Sequence, residues 1–178
     1  MTDPHTTDAT DVAVWATVVT PDGAFTVIAD DAATVLASGW TDEPEYLLAL
    51  VNRALRPSDL RRSDSLGPIV AAVEAYYDGD FDAPAAIPVT QKSGPVLEKN
   101  WAALRTVPAG APITYTALAE LAGEPQAIRA AASSCSRNAA ALFVPCHRVQ
   151  RFDGSLGGFR YGLPIKQSLL ARESVRAK

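Results

Sequence analysis

The segment FVPCHRVQ, Phe143 to Gln150, places one of the chain's two cysteines, Cys146, directly before one of its two histidines, His147. Three chemistries are compatible with that pair. A thiol beside an imidazole can be a nucleophile with its base, the two can be half of a zinc site, or Cys146 can be a small hydrophobe closing the apolar run AALFV. Structural zinc takes about four ligands, and only Cys135, Cys146, His147 and the N-terminal His5 are available, so no metal is expected. The neighbours favour the nucleophile. Pro145 constrains the chain entering Cys146, while His147 and Arg148 bring a proton acceptor and a positive charge that favour thiolate over thiol.

The chain of 178 residues is long enough for one sizeable core or two small ones. Hydrophobic residues make up 48% and charged residues 20% of it, and no apolar run reaches the roughly 20 residues of a membrane span, so a soluble globular protein is expected. The N-terminal MTDPHTTDATD is acidic and hydroxyl-rich, unlike a secretory leader, and residues 1–11 are expected to be a disordered tail. Without an export signal the expected compartment is the reducing cytoplasm, where both cysteines stay free thiols. The charge is divided unevenly. Residues 1–90 carry four Arg and no Lys against fifteen Asp and Glu, a balance of −11, whereas residues 91–178 carry twelve basic and five acidic residues, a balance of +7. That asymmetry suits a C-terminal half facing a polyanion, although a solvated basic face with no partner has the same composition.

The elements that must hold these residues follow from periodicity. DVAVWATVV and GAFTVIAD alternate and are joined at Pro21, Asp22 and Gly23, which predicts a hairpin, with ATVLASGW as a third strand. EPEYLLALVNRAL and GPIVAAVEAYYDGD have helical spacing. Broken periodicity over Asp78 to Gly94 predicts a connection, giving an N-terminal α/β domain at 12–90 and a second domain at 91–178. In the second, Val96, Leu97, Trp101 and Leu104 fall on one helical stripe ending before Pro108. Thr114 can cap a short helix, Gly123 can end it, and another helix can start at Pro125, a pattern that matches a helix-turn-helix as well as two ordinary packed helices.

PCHRV, followed by DGSLGGFRYG and a last helix containing LLARE, resembles the O6-alkylguanine-DNA alkyltransferase family, the methylated-DNA to protein-cysteine methyltransferases. The likeness is dense over residues 94–173, through NWAALRTVPAG, ITYTALAELAG, the Arg129 helix and Asn138, and looser around TPDGAFTVIA. It implies an α+β protein, with a small ribonuclease-H-like α/β domain followed by a mainly helical domain containing a helix-turn-helix. Cys146 would then accept an alkyl group irreversibly as a thioether, once per molecule and without a cofactor. By the same resemblance His147 is the base, acting through a water; Glu173 orients and charges the imidazole; Asn138 braces the network; and Tyr115 hydrogen-bonds the guanine and lends it a proton.

The implied partner is double-stranded DNA carrying O6-alkylguanine, or O4-alkylthymine, with the damaged nucleotide rotated out of the stack. Arg129 would fill the vacated space, with Thr114, Ala130, Ser134 and Arg137 completing the DNA face. The Cys146 and Val149 carbonyls would read the guanine amino group, Cys135 would line the pocket, and the backbone of Gly158, Phe159 and Arg160 would form its wall. A monomer in solution is expected, located in the cytoplasm, with cooperativity on DNA left open. SGPVLEKNW departs from the family's Gly-Thr and Phe-Gln pattern, at Val96, Leu97 and Asn100. Other readings stay open: a lesion-binding relative without transfer would lack the acceptor cysteine, a helix-turn-helix regulator gives no reason for PCHRV, and a Cys-His hydrolase would turn over repeatedly.

Overall fold

A computed structural model describes residues 12–64 and 66–177, so the tail expected at 1–11 lies outside the described residues. The alternating β-branched segments form β1 (Val12–Thr20) and β2 (Gly23–Ala29), paired antiparallel from Val14↔Ala29 to Thr20↔Gly23. Gly23 takes φ 109°, a conformation that side chains resist, and the Thr20 hydroxyl donates to its carbonyl at 2.7 Å to close the turn. The third expected strand is β3 (Val35–Gly39), buried along its whole length beside β2.

The helix expected over EPEYLLALVNRAL is shorter. It runs only as α1 (Pro44–Leu50), because Val51 turns extended at ψ 131° and the Asn52 side chain accepts from Ala54 N at 2.9 Å. Arg56 then donates to the Ala49 and Val51 carbonyls, each at 3.1 Å, satisfying acceptors the helix leaves open. After it comes a strand that periodicity does not reveal, β4 (Asp59–Arg62), which pairs parallel to β1 and completes the order β3-β2-β1-β4. Its four residues DLRR are mostly exposed and charged, which suits a short sheet edge and leaves no apolar alternation to read. Then α2 (Gly67–Tyr77) buries Ile69, Ala72, Val73 and Tyr76, the i, i+3, i+4, i+7 stripe of an amphipathic helix.

The segment expected as a plain connection contains a 3₁₀ turn, Ala83–Ala86, and is tied to β3: Val35 N donates to Pro88 O at 2.9 Å and Thr90 N to Val35 O at 3.0 Å. Next, α3 (Pro95–Leu104) buries Asn100, Trp101, Ala103 and Leu104, with Val96 and Leu97 half-buried. Asn100, one of the departures from the family pattern, donates from Nδ2 to Val96 O at 2.8 Å, while its buried Oδ1 has no partner.

Beyond α3, β5 (Ile113–Thr114) leads into α4 (Tyr115–Leu121), capped by Thr114, whose hydroxyl accepts from Ala117 N at 3.1 Å. Gly123 at φ 76° closes α4 with Gly123 N donating to Glu120 O at 3.0 Å and Glu124 N to Ala119 O at 2.9 Å, the two bonds of a Schellman ending. The following helix, α5 (Ile128–Ser136), begins three residues after Pro125, not at it. Pro125 and Gln126 belong to a turn closed by Ala127 N on Glu124 O at 2.8 Å, and Ala127 itself is non-helical at ψ 45°. β6 (Val149–Gln150) pairs parallel to β5, and α6 (Leu163–Glu173) is followed by a 3₁₀ turn, Ser174–Ala177.

One apolar cluster takes Phe25, Trp40 and Tyr76 from the first half of the chain and Trp101, Leu104, Leu118, Phe143 and Leu169 from the second. The backbone joins the halves too: Ser38 N donates to Ala139 O at 2.8 Å, and its hydroxyl to Ala141 O at 2.7 Å. Phe25 stacks edge-on to Trp40 at 4.9 Å and faces Phe143 at 6.5 Å. Truncating Phe25 to Ala should therefore cost about 3–5 kcal/mol. Urea unfolding followed by tryptophan fluorescence and by far-ultraviolet dichroism should show one coincident transition at lower urea; two separated transitions would show that the halves do not share this core.

Candidate active site

Cys146 opens a 3₁₀ turn, Cys146–Arg148, that connects the buried run ending in Pro145 to β6. The turn is set by Pro145 at ψ 65° and by Cys146 N donating to Val144 O at 2.8 Å. Asn138, two residues past the end of α5, holds the same run. Its Nδ2 donates to Val144 O at 2.7 Å, and its Oδ1 accepts from Ala140 N at 3.1 Å and from Gln91 Nε2 at 2.9 Å.

Because a 3₁₀ turn advances about 120° per residue, consecutive side chains point in different directions. His147 and Arg148 accordingly reach inward to the end of α6. His147 Nε2 lies 2.8 Å from Glu173 Oε1, while its buried Nδ1 has no hydrogen-bond partner. Arg148 forks onto the same carboxylate, Nε to Oε2 at 3.0 Å and Nη2 to Oε1 at 3.0 Å, and also donates to Val107 O at 2.7 Å. The Tyr76 hydroxyl, from α2, donates to Oε1 at 2.8 Å. Burial works against an ionised Glu173, yet the hydrogen bonds and charges of His147 and Arg148 outweigh it and hold the carboxyl well below its ordinary range. An ionised Glu173 accepts from Nε2–H and fixes the tautomer that leaves the Nδ1 lone pair free. Burial also pushes the His147 imidazolium pKa down, so the ring stays neutral and able to take a proton.

The expectation that Arg148 charges the thiol is corrected here: its guanidinium is consumed by Glu173. Burial raises the Cys146 thiol pKa, opposed by the Asn138 amide and then by the charge of Lys166 and, more weakly, Arg160. At rest the group is a thiol, so its activation depends on proton removal at the moment of attack. Lys166, which the sequence reading missed, is buried in α6 and donates to Val149 O at 2.7 Å and to the Leu156 carbonyl, stapling the glycine-rich loop to β6. A lone Lys in LPIKQSLLARE has the sequence signature of a solvated helix face, and Tyr76 that of a core aromatic.

Cys146 opens onto a cavity of about 360 Å³ whose wall also includes Tyr115, Cys135, Asn138, Gly158, Phe159, Arg160 and Tyr161. Gly157 at φ 70° allows close approach, since a Cβ there would stand 2.7 Å from the Tyr115 hydroxyl. The Val149 carbonyl accepts from Lys166 and the Cys146 carbonyl from Val149 N, which leaves each a second lone pair. One expected position differs: Ser134, expected on the DNA face, is fully buried because its hydroxyl donates to Ala131 O and its carbonyl accepts from Trp101 Nε1 at 2.9 Å. Arg129 and Arg137 are exposed, with Ala130 and Thr114 half-buried. Among the described residues no group of three or more His, Cys, Asp or Glu is placed to hold a metal, and no helix is long and apolar enough to cross a membrane.

Comparison with known proteins matches this architecture. Residues 95–175 match the family model described as 6-O-methylguanine DNA methyltransferase, DNA binding domain. A methylated-DNA–protein-cysteine methyltransferase of Mycolicibacterium paratuberculosis is 35% identical over 132 residues, covering 71% of this chain and 78% of the relative. The bifunctional transcriptional activator and DNA repair enzyme Ada of Escherichia coli is 34% identical over 148 residues, 83% of this chain but only 38% of its own length. In fold, the chain is similar to the Mycobacterium tuberculosis OGT crystallised in complex with DNA, with a TM-score of 0.74 at 24% identity over 92% of this chain and 94% of that one. A buried cysteine lining a small cavity, next in the chain to a His-Glu pair, is the arrangement of a protein whose thiol can act as an acceptor or nucleophile. The chain belongs to the methylated-DNA–protein-cysteine methyltransferase family.

The Glu173 cluster makes stability sensitive to acid, and the sign follows from both shifts. The depressed His147 gives full stability above the unfolded value of about 6.5, lost as pH falls and the unfolded chain takes the proton first. Glu173, also depressed, adds stability that is present above about 4.3 and lost as pH falls toward its folded value. Melting temperature should therefore decline from pH 7 to pH 4. At pH 7, Glu173→Gln should cost about 3–5 kcal/mol by leaving Arg148 buried without its counter-charge. A Glu173→Gln protein as stable as the parent in urea would refute the charge argument.

Proposed function

We propose that this protein repairs DNA by transferring an alkyl group from guanine O6 to its own Cys146. The observation that carries the reading is the buried Cys146 lining the cavity, next in sequence to a His147 whose Nε2 is engaged by Glu173. In the transfer, Sγ forms a bond to the alkyl carbon as the carbon–O6 bond breaks. The thiol proton passes through a water to His147 Nδ1, the leaving guanine, as its anion, takes a proton from the Tyr115 hydroxyl, and exchange with solvent moves the proton from His147 back to the Tyr115 phenolate, so that no net proton is gained or lost. The thioether has no easy leaving group, so each molecule reacts once. No step needs a cofactor.

Double-stranded DNA is the partner we infer, supported by the family description of residues 95–175 as a DNA-binding domain. Within it, α4, the Gly123 turn and α5 are read as a helix-turn-helix, with the exposed Arg129 on the first turn of α5 entering the stack as the damaged base leaves it. Residues 12–90, with their four-stranded sheet and α2, are read as the ribonuclease-H-like domain of the family. Cys146 is only 8% exposed, so an alkyl group on a base still stacked in a duplex cannot reach its sulfur, which is why rotation of the nucleotide is part of the proposal.

Incubation with a duplex oligonucleotide containing one O6-methylguanine should add the mass of one methyl group per protein molecule, located by peptide mapping at Cys146. Cys146→Ala should retain binding to that duplex and gain no mass. Arg129→Ala should slow transfer from the duplex by on the order of tenfold or more while leaving the reaction with free O6-benzylguanine near the parent rate. Equal losses on both substrates would remove Arg129 from the flipping step, and an unmodified parent protein would remove the proposed function.

A further inference from the structure

Tyr161 shares the cavity wall with Cys146, but its ring is seated in the N-terminal half of the chain. Its hydroxyl donates to Ser38 O at 3.3 Å, and its ring meets Trp40 edge-on at 5.6 Å and Phe159 at 5.8 Å. Trp40 is itself anchored, donating from Nε1 to the Tyr77 hydroxyl at 2.9 Å and packing on Phe25 at 4.9 Å. Beneath the ring is Gly39, the last residue of β3. Its φ is outside the left-handed region taken by Gly23 or Gly157, so glycine is not required there for backbone freedom. What it provides is room. A Cβ on Gly39 would overlap the Tyr161 hydroxyl oxygen and Cζ and stand 2.7 Å from Cε1.

The backbone at Gly39 is held by its pairing with Thr26 in β2, and the flanks of the Tyr161 ring are taken by Trp40 and Phe159. A ring displaced from β3 therefore moves toward the cavity. We propose that Gly39 is a specificity-determining position for the transfer reaction, acting through Tyr161: by letting the ring lie against β3, it keeps the acceptor cavity wide enough for O6 substituents larger than methyl. This inference rests on the proposed alkyl transfer and gives part of the acidic N-terminal half, remote in sequence from Cys146, a role in choosing the substrate. Gly39 is a positioning residue and touches no reacting atom.

The test compares transfer rates from two duplex oligonucleotides, one carrying O6-methylguanine and the other O6-benzylguanine, with Cys146 modification read by mass. Gly39→Ala should lower the benzyl-to-methyl rate ratio by on the order of tenfold or more, the scale on which a filled pocket rejects added volume. In a Tyr161→Ala background the same Gly39→Ala change should leave that ratio unmoved, because the ring that transmits it is gone. A merely structural role would lower both rates together. If Gly39→Ala alone does not fold, the double variant with Tyr161→Ala decides: recovery of the fold with an unchanged ratio shows that the added methyl group acts against the ring and supports the inference, whereas a double variant that also fails to fold, or whose ratio falls below that of Tyr161→Ala, overturns it. A parent protein that takes methyl but not benzyl also overturns it, leaving the proposed function standing. A parent that takes neither overturns both.

Discussion

A carboxylate with no solvent contact stays ionised only where its neighbours replace the hydration it has lost, and Glu173 is surrounded accordingly. Its two oxygens take Tyr76, His147 and both prongs of the Arg148 fork, so that α2, the Cys146 turn and α6 meet at one charge. Removing any one donor would leave the others facing a partly unsatisfied buried anion, which is far more costly than losing an exposed ion pair. The network therefore fixes the end of α6 and the turn that carries the thiol in the same act, and with them the tautomer of His147. Structure and chemistry have a common origin here: the charge that holds the fold together also points the basic nitrogen of the imidazole away from α6.

The resting state that results is a protonated thiol, kept so by burial. A permanently ionised sulfur would be open to oxidation and to any passing electrophile, whereas a buried thiol reacts slowly until its proton is removed. Lys166 lends positive charge to the surroundings of the sulfur, while tying the glycine-rich loop to β6 through backbone carbonyls. The same amine thus shapes the cavity and moderates the cost of developing negative charge within it.

The N-terminal half enters this site twice, at Tyr76 under the carboxylate and at Gly39 and Trp40 behind the cavity wall. Neither contact uses charge from the acidic surface. Both use buried side chains or their absence, through a core continuous from Phe25 to Phe143. The division of charge between the two halves concerns what the surface meets; the division does not extend to the interior.

The candidate thiol and imidazole were legible in the sequence because they are adjacent, as Cys146 and His147 of PCHRV, and Thr114 and Gly123 mark the ends of α4 by their own side-chain and backbone chemistry. The hairpin and α2 were legible for the same reason, since a period of two or of 3.6 residues is a property of consecutive positions. What only the tertiary structure decided depends on residues far apart in the chain. Arg148 looks like a cation for the sulfur until α6 brings Glu173 against it. Ser134 looks exposed until Trp101 packs on α5, Lys166 looks solvated until the glycine-rich loop closes over it, and β4 has no apolar pattern because only the free edge of β1 makes it a strand. A sequence determines which groups are available and how each segment coils; which of two partners a buried charge takes, and which polar side chain loses its water, is settled only when desolvation is shared among segments that the chain order keeps apart.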